Sequence, residues 1–474
     1  MESAWISILP FLVVIPVAII TKQVLPGLAL GLLTGAYLVE PHLLGGIQKA
    51  LEYVVVSLQD ESNIKIIAFL YIFSGLVGVI RISGGIKGFV EEASERIQTK
   101  RGALFLTWIS TLGTFSAPNF RIVTVAPIMR ALLKKISMSK QELAFVIETT
   151  AAPLIVLIPI ATASVGYMVS VIELSLNNEG IEADAYQLFI QSIPFNFFSI
   201  VMILIGIYLS FFHHSDKPQT DVGGTSKEVK EEDDENDWRD CHPAVSKELP
   251  ARPWNLVIPL ILIIGLTLFL TWWDGSRETN GFFQAFIEAD VLNAMVLALI
   301  ITLIVTLVFL RFQHNKLKEM MTHFIHGGNE LMAVILLLAI VWGLATATED
   351  LGFSGFVTTN VNWIPSMLIP PVLFLLGSLV SYFIGSSWGT WGIIMPLAIS
   401  LGHTSGASLP LVIGAVFASG AFGAFASPLS DNTNTIAKIL NLEVIQYARF
   451  KLGPALIAVG IATVLYGVAT FIFS

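Results

Sequence analysis

The chain has 474 residues, of which 54% are apolar and only 13% charged, and its mean hydropathy is +0.76. So little polar surface cannot coat a soluble globule of this size, and lipid must serve as part of the solvent. The formal net charge of −9 comes partly from one acidic stretch; with no basic patch, nucleic-acid binding is excluded, and the single cysteine, Cys241, excludes an internal disulfide.

In chain order, the first apolar run (4–20) has no positive charge before it and no small-residue cleavage site ahead of Lys22, so it is expected to be a retained span. Gly27, Gly31 and Gly35 then form a double GxxxG pattern, which suits close helix packing. Further runs of membrane-spanning length lie at 64–80, 185–212, 256–273, 292–309 and 331–347. Between the runs at 185–212 and 256–273 lies a polar stretch carrying Lys227, Glu228, Lys230, Glu231, Glu232, Asp233, Asp234, Glu235 and Asp237. Such charge density with few apolar residues predicts a loosely ordered linker. The expected division is therefore an N-terminal membrane half (1–212), an acidic linker (213–252) and a C-terminal membrane half (253–474).

The halves rhyme. Ser74-Gly75-Leu76 echoes Trp342-Gly343-Leu344, each before a glycine-rich turn; a segment around Pro127 matches one around Pro396, and a third around Pro153 matches one around Pro428. The fold expected is an all-α integral membrane protein of about ten transmembrane helices plus two re-entrant hairpins, arranged as inverted-topology repeats with broken helices. The hairpins fall near 102–129 and 369–395; the first, at about 28 residues, is too short for two full spans. With the N-terminus outside and the linker cytoplasmic, Lys22, Lys100, Arg101, Arg130, Lys135, Arg311, Lys316 and Lys451 fall inside, and Lys49, Lys65 and Arg277 outside.

Irregular backbone at membrane depth survives only where it is buried in protein or lines a wet cavity, so the breaks mark the site. In the first half they are Gly113-Thr114-Phe115-Ser116-Ala117-Pro118-Asn119 and Glu148-Thr149-Thr150-Ala151-Ala152-Pro153. In the second they are Gly385-Ser386-Ser387-Trp388-Gly389-Thr390 and Ser427-Pro428-Leu429-Ser430-Asp431-Asn432-Thr433-Asn434. Hard cations prefer an all-oxygen shell, which the last stretch supplies, so Asp431, Ser430 and Asn434 are the expected Na+ ligands, with Ser427, Asn432 and Thr433 beside them. An N-cap role for Ser430 or Asp431 is compatible with that, because a half-helix N-terminus can lie at the site. Glu148, in an otherwise apolar segment, is expected either to carry protons or to pair with Lys140 or Arg130. Arg121 is expected to bind a substrate carboxylate or to neutralise Glu148 or Asp431. Thr149, Asn119, Ser386, Ser387 and Thr390 complete the expected ion- and substrate-binding set.

These motifs resemble the NhaC-type sodium/proton antiporter family, part of a wider group of ion and organic-anion carriers. The matching pieces are Met129-Arg130, Glu148-Thr149-Thr150-Ala151-Ala152-Pro153, Gly385-Ser386-Ser387-Trp388-Gly389-Thr390 with Met395-Pro396, and Ser427-Pro428-Leu429-Ser430-Asp431-Asn432-Thr433. The resemblance implies inward proton movement exchanged for outward sodium, with Asp431 among the cation-site residues. The family's acids at the first hairpin tip are replaced here by Ser116, Ala117, Pro118 and Asn119, with Arg121 nearby, and its aspartate before Thr-Ala-Ala-Pro by Glu148. A Na+- or H+-coupled carrier of a small organic anion or amino acid is therefore the alternative.

An intramembrane enzyme is not expected: the sequence has no HExxH motif, no P-loop and no histidine partner near the broken-segment hydroxyls. No cofactor is expected beyond Na+ and H+ as coupling ions. The expected partners are plasma-membrane lipid, Na+, H+ and, under the alternative, a small organic solute; nucleic acid is not among them, and homodimerisation is left open.

Overall fold

The structure is a computed structural model that describes residues 4–21, 23–85, 88, 99–114, 118–133, 138–159, 162–212, 252–277, 279, 281, 285, 289–360 and 365–473. The predicted linker lies outside the described residues except for Arg252. Among the described residues every regular element is helical. Hydrocarbon offers the backbone no hydrogen bonds, and a helix satisfies its own.

The first half runs through α1 (Leu9–Thr21), α2 (Val24–Val39), α3 (Glu61–Ile82), α4 (Lys100–Ile109), α5 (Pro118–Leu133), α6 (Lys140–Thr149), α7 (Ala163–Asn178) and α8 (Phe197–Phe211). The second runs through α9 (Trp254–Gly275), α10 (Val291–Phe312), α11 (Leu317–Glu330), α12 (Met332–Asp350), α13 (Ile369–Ile384), α14 (Ser387–Ser405), α15 (Leu409–Ala426), α16 (Asp431–Leu440) and α17 (Val444–Phe473). Side-chain oxygens of Thr99, Ser139, Thr162, Ser386 and Ser430 accept from first-turn N–H groups and so start α4, α6, α7, α14 and α16. At Ser139 the Glu142 carboxylate returns a bond to the cap and completes a capping box.

Among the described residues seven helices are long and apolar enough to span a bilayer, or up to nine if each of two bent pairs is one span. Breaks cut other apolar runs into pieces such as α6, of ten residues, shorter than the roughly 20 a span requires. The segment around 102–129 forms α4, a single helical turn at Thr111–Thr114 and α5, and the segment around 369–395 forms α13 and α14; α4 packs with α5 and α13 with α14.

Packing is arranged around α15, whose residues from Leu411 to Ala426 are all buried. The helices α8, α13, α14 and α17 contact it. Leu456, Ile457 and Val464 of α17 and Ile261 of α9 point outward as apolar surface, which is stable only against lipid or another apolar face. The glycine pattern of α2 permits close approach: a Cβ at Gly27 would lie 2.8 Å from the Val14 carbonyl oxygen, and one at Gly35 would lie 3.2 Å from the Ala347 Cβ. A separate apolar cluster joins α4, α5 and α6 to α16 and Tyr447 through residues such as Leu106, Ile122, Ile147 and Ile436. The first hairpin thus packs as a unit with the two short half-helices.

Candidate functional site

Broken helices leave backbone polar groups without helical partners, so a place where several breaks meet can hold an ion or polar solute. All four broken regions border one cavity of about 430 Å³. The first hairpin contributes Pro118, the segment after α6 contributes Ala152 and Val156, the start of α14 contributes Ser387, Trp388 and Trp391, and the start of α16 contributes Asp431 and Asn432. From the other side come Arg81 of α3 and Glu330 of α11. These two form a two-pronged ion pair in which Nη2 lies 2.7 Å from Oε2 and Nη1 donates to Oε1.

The turn between α13 and α14 is built on Gly385, whose φ of +74° is left-handed. A Cβ there would lie 2.6 Å from the Leu429 carbonyl carbon, so the second hairpin tip rests on the 427–430 break. Ser427 Oγ reinforces the contact by donating to the Tyr382 carbonyl at 2.6 Å. Ser430 Oγ donates to the Ala424 carbonyl at 2.7 Å and accepts from the Asn432 N–H at 3.2 Å. The cap holds Asp431 in the first turn of α16 at the cavity wall, where the positive end of the helix favours its charge. Among the described residues no lysine or arginine lies within ion-pair distance of Asp431.

Behind this wall is a buried ion pair. Glu148 of α6 and Lys451 of α17 both have zero exposure. Lys451 Nζ lies 2.7 Å from each Glu148 carboxylate oxygen and 2.6 Å from Thr433 Oγ1, which uses all three ammonium protons. The Thr433 hydroxyl donates to the Ser427 carbonyl at 2.9 Å, and Tyr447 Oη donates to Glu148 Oε2 at 2.6 Å. The rings of Tyr447 and Phe425 lie 4.8 Å and 5.2 Å from the ammonium. Either charge alone at this depth would be costly, and together they are matched.

Arg121 stands apart from both groups. Its fully buried guanidinium donates to the Thr107 carbonyl, to Ser110 Oγ at 3.2 Å, to Thr114 Oγ1 at 2.8 Å, and twice to Thr150 Oγ1. The expectation that Arg121 would neutralise Glu148 or Asp431 is corrected: neutral oxygens of its own hairpin and of the α6 end consume its donors. Its other expected role, holding a substrate carboxylate, is not supported by the cavity wall, of which it is no part. Glu148 likewise pairs with Lys451 and not with Lys140 or Arg130; Arg130 Nη1 donates instead to the Ile439 carbonyl at 2.7 Å.

Of the other predicted residues, Asp431, Asn432 and Ser387 meet at the cavity, while Glu148, Thr433 and Ser427 meet in the buried cluster. Asn434 is turned away, its amide donating to the Ser430 carbonyl at 2.9 Å. Ser386 caps α14 and Thr390 donates to its carbonyl, both local bonds. Thr149 is buried toward Gly206, and the Asn119 side chain lies outside the described residues. Lys451 and the Arg81–Glu330 pair were not predicted as site residues. Lys451 had a readable signal, a cation within a long apolar helix just after Arg449, which the positive-inside count assigned to the inside.

Solved transporters share the overall architecture. The YdaH transporter of Alcanivorax borkumensis aligns with a TM-score of 0.58 at 13% identity, over 89% of this chain and 88% of that one. MtrF of Neisseria gonorrhoeae, described as illuminating a class of antimetabolite efflux pumps, aligns at 0.61 and 12% identity over 90% and 85%. At such identity the likeness is one of fold. In sequence, an uncharacterized protein of Haemophilus influenzae is 26% identical over 91% of this chain and 84% of its own. The malate-2H(+)/Na(+)-lactate antiporter of Bacillus subtilis is 31% identical over 33% of this chain and 34% of its own length, and the Na(+)/H(+) antiporter NhaC of Alkalihalophilus pseudofirmus is 27% identical over 33% and 34%. The chain thus matches about a third of each of these two antiporters. The profile of the Na+/H+ antiporter family, however, matches residues 163–471, which take in the second hairpin, the 427–434 break and Lys451. On that match over more than half its length, the chain belongs to the Na+/H+ antiporter family.

Proposed function

We propose that this secondary antiporter exchanges Na+ for H+ across the cell membrane by alternating access, with Asp431 as the cation-binding carboxylate. The observation that carries this reading is the placement of Asp431: a carboxylate without an ion-pair partner among the described residues, at a helix start, on the wall of a cavity bordered by four breaks. A dehydrated cation at membrane depth needs a nearby negative charge, and Ser387 and Asn432 supply neutral oxygens on the same wall. A proton and a Na+ ion compete for the carboxylate, so occupancy by one excludes the other. The first hairpin, packed with α6 and α16 in its own apolar cluster, is suited to move as a body and change the side from which the cavity opens. We assign the N-terminus to the outside and the 213–252 linker to the cytoplasm, with the two halves as inverted repeats, on the distribution of lysine and arginine.

The test is purified protein in sealed liposomes, with a pH-sensitive dye inside and Na+, K+ and Li+ gradients imposed separately. Na+-driven alkalinisation or acidification that follows the direction of the gradient is expected; an unchanged internal pH with folded protein would reject Na+/H+ exchange.

The size of the cavity favours a second reading, a Na+- or H+-coupled carrier of a small organic anion or amino acid. About 430 Å³ far exceeds a bare ion and falls within the roughly 300–1,000 Å³ of organic-ligand pockets. Relatives matched over part of the chain include the malate/lactate antiporter and an arginine/ornithine antiporter, ArcD of Halobacterium salinarum, 28% identical over 29% of this chain and 28% of its own length. Uptake of a labelled carboxylate or amino acid that depends on the Na+ gradient would decide for it.

A further inference from the structure

Three oxygens converge on the Lys451 ammonium, two from Glu148 at 2.7 Å each and one from Thr433 at 2.6 Å, with the Ser427 carbonyl one hydrogen bond further on. Oxygen ligands around a buried positive centre are what a hard monovalent cation also requires. We propose that this cage is a second cation site, in which Na+ and the Lys451 ammonium alternate, so that the proton Lys451 releases is one that the carrier exchanges. The proposal rests on the Na+/H+ reading and extends it to a site apart from Asp431.

The constraint is charge. A carboxylate with zero exposure cannot be left bare at membrane depth, so Lys451 can lose its proton only as another cation arrives on Glu148. The step balances: Nζ gives one proton to cavity water, Na+ takes its place on the carboxylate, and the cluster stays neutral throughout. The route is short, because Thr433 follows Asp431 and Asn432, which line the cavity. Around the cage, α6 contributes Glu148, α16 Thr433, α15 the Phe425 ring and α17 Tyr447 beside Lys451 itself. Among the described residues no other ionisable side chain bonds to it.

The test measures Na+ binding to the full chain in detergent by calorimetry while a pH dye in weak buffer counts protons. The wild type should release protons as Na+ binds, with an apparent affinity that tightens up to about ten-fold per pH unit. Lys451→Arg keeps the cation and its ion pair but holds its proton; as a monodisperse protein it should lose the Lys451 share of the proton release and keep only the share that Asp431 exchanges. Lys451→Gln should bind Na+ with its pH dependence flattened. Should Lys451→Gln not fold with Glu148 unpaired, the neutral double variant Glu148→Gln, Lys451→Gln should fold and lose the Lys451 share of the proton release, leaving that of Asp431. Wild-type proton release by folded Lys451→Arg would overturn the proposal and leave Asp431 as the exchanging group. A wild type that neither binds nor transports Na+ would overturn the Na+/H+ reading itself.

Discussion

Arg121 and Thr150 are tied by two hydrogen bonds to one hydroxyl, from Nε at 3.1 Å and from Nη2 at 2.6 Å. The bonds fasten the first hairpin to the point where α6 ends, and Thr150 adds its own local bonds to the Val146 and Ile147 carbonyls. A fork of fixed geometry does this and a point-like ammonium does not. Arg121→Lys should therefore lower stability by about 3 kcal/mol and Thr150→Val by about 2 kcal/mol, the range for buried charged donors left short of acceptors. Thermal unfolding of the detergent-solubilised protein reads both, and melting temperatures within a degree of wild type would contradict the tie. Because Arg121 is absent from the cavity wall, any folded Arg121→Gln protein should keep its ion and solute selectivity.

Asp431→Asn preserves shape and hydrogen-bonding capacity while deleting the charge at the cavity wall. It should abolish Na+-driven proton movement without loss of protein from the membrane. Asn432→Ala and Ser387→Ala remove neutral oxygens from the same wall, and each should weaken apparent Na+ affinity about ten-fold, the effect of roughly 1–2 kcal/mol. Asn434→Ala should leave affinity near wild type, since that amide bonds to the Ser430 and Pro428 carbonyls. Near-normal exchange by folded Asp431→Asn, followed by dye across a range of Na+ concentrations, would shift attention to Glu148.

The helical class and the places where helices break were legible because hydropathy and the prolines, glycines and hydroxyl runs act locally, within a turn or two of chain. Ser430 as an N-cap was equally local. What escaped was pairing across the fold. Lys451 reaches Glu148 over 303 positions of sequence, and a positive-inside count places each lysine by its neighbours along the chain, not by what it meets in space. Arg121 misled for a related reason: a cation beside one broken segment invites pairing with the acids of the others, and nothing local shows that Thr107, Ser110, Thr114 and Thr150 together saturate its donors. Arg81 and Glu330 were invisible as a pair because α3 and α11 come from different halves.

The orientation proposed for the chain is open to direct labelling. With Cys241 replaced, single cysteines near Lys100, Lys135, Lys230 and Lys316 should react with a membrane-impermeant reagent only from the cytoplasmic side, and those near Asn178 and Asn280 only from outside. Lys100 and Lys135 labelling from opposite sides would show that the α4–α5 segment crosses the membrane. The re-entrant hairpin, and with it the inverted repeat, would then be wrong.

Gly385 and Gly406 offer a matched pair that isolates the contact between the second hairpin tip and the 427–430 break. Their backbones are alike, with φ of +74° and +73°, so alanine at either position incurs the same left-handed strain, about 1–2 kcal/mol. Their surroundings differ. A Cβ at Gly406 meets nothing within 4 Å, whereas one at Gly385 would lie 2.6 Å from the Leu429 carbonyl carbon and 2.8 Å from the Ser430 nitrogen. Those are backbone atoms, which cannot swing aside as the end of a flexible side chain can, so the tip or the break must shift. Ser430 caps α16 and holds Asp431 in its first turn, hence even a small displacement moves the carboxylate on the cavity wall. Gly406→Ala should cost only the strain, seen as a modest fall in melting temperature with exchange close to wild type. Gly385→Ala should show that fall and, in addition, a drop in apparent Na+ affinity or exchange rate of about ten-fold or more, the consequence of roughly 1.4 kcal/mol at the site. Equal behaviour of the two variants in the liposome assay would mean that Gly385 is needed for its backbone angle alone.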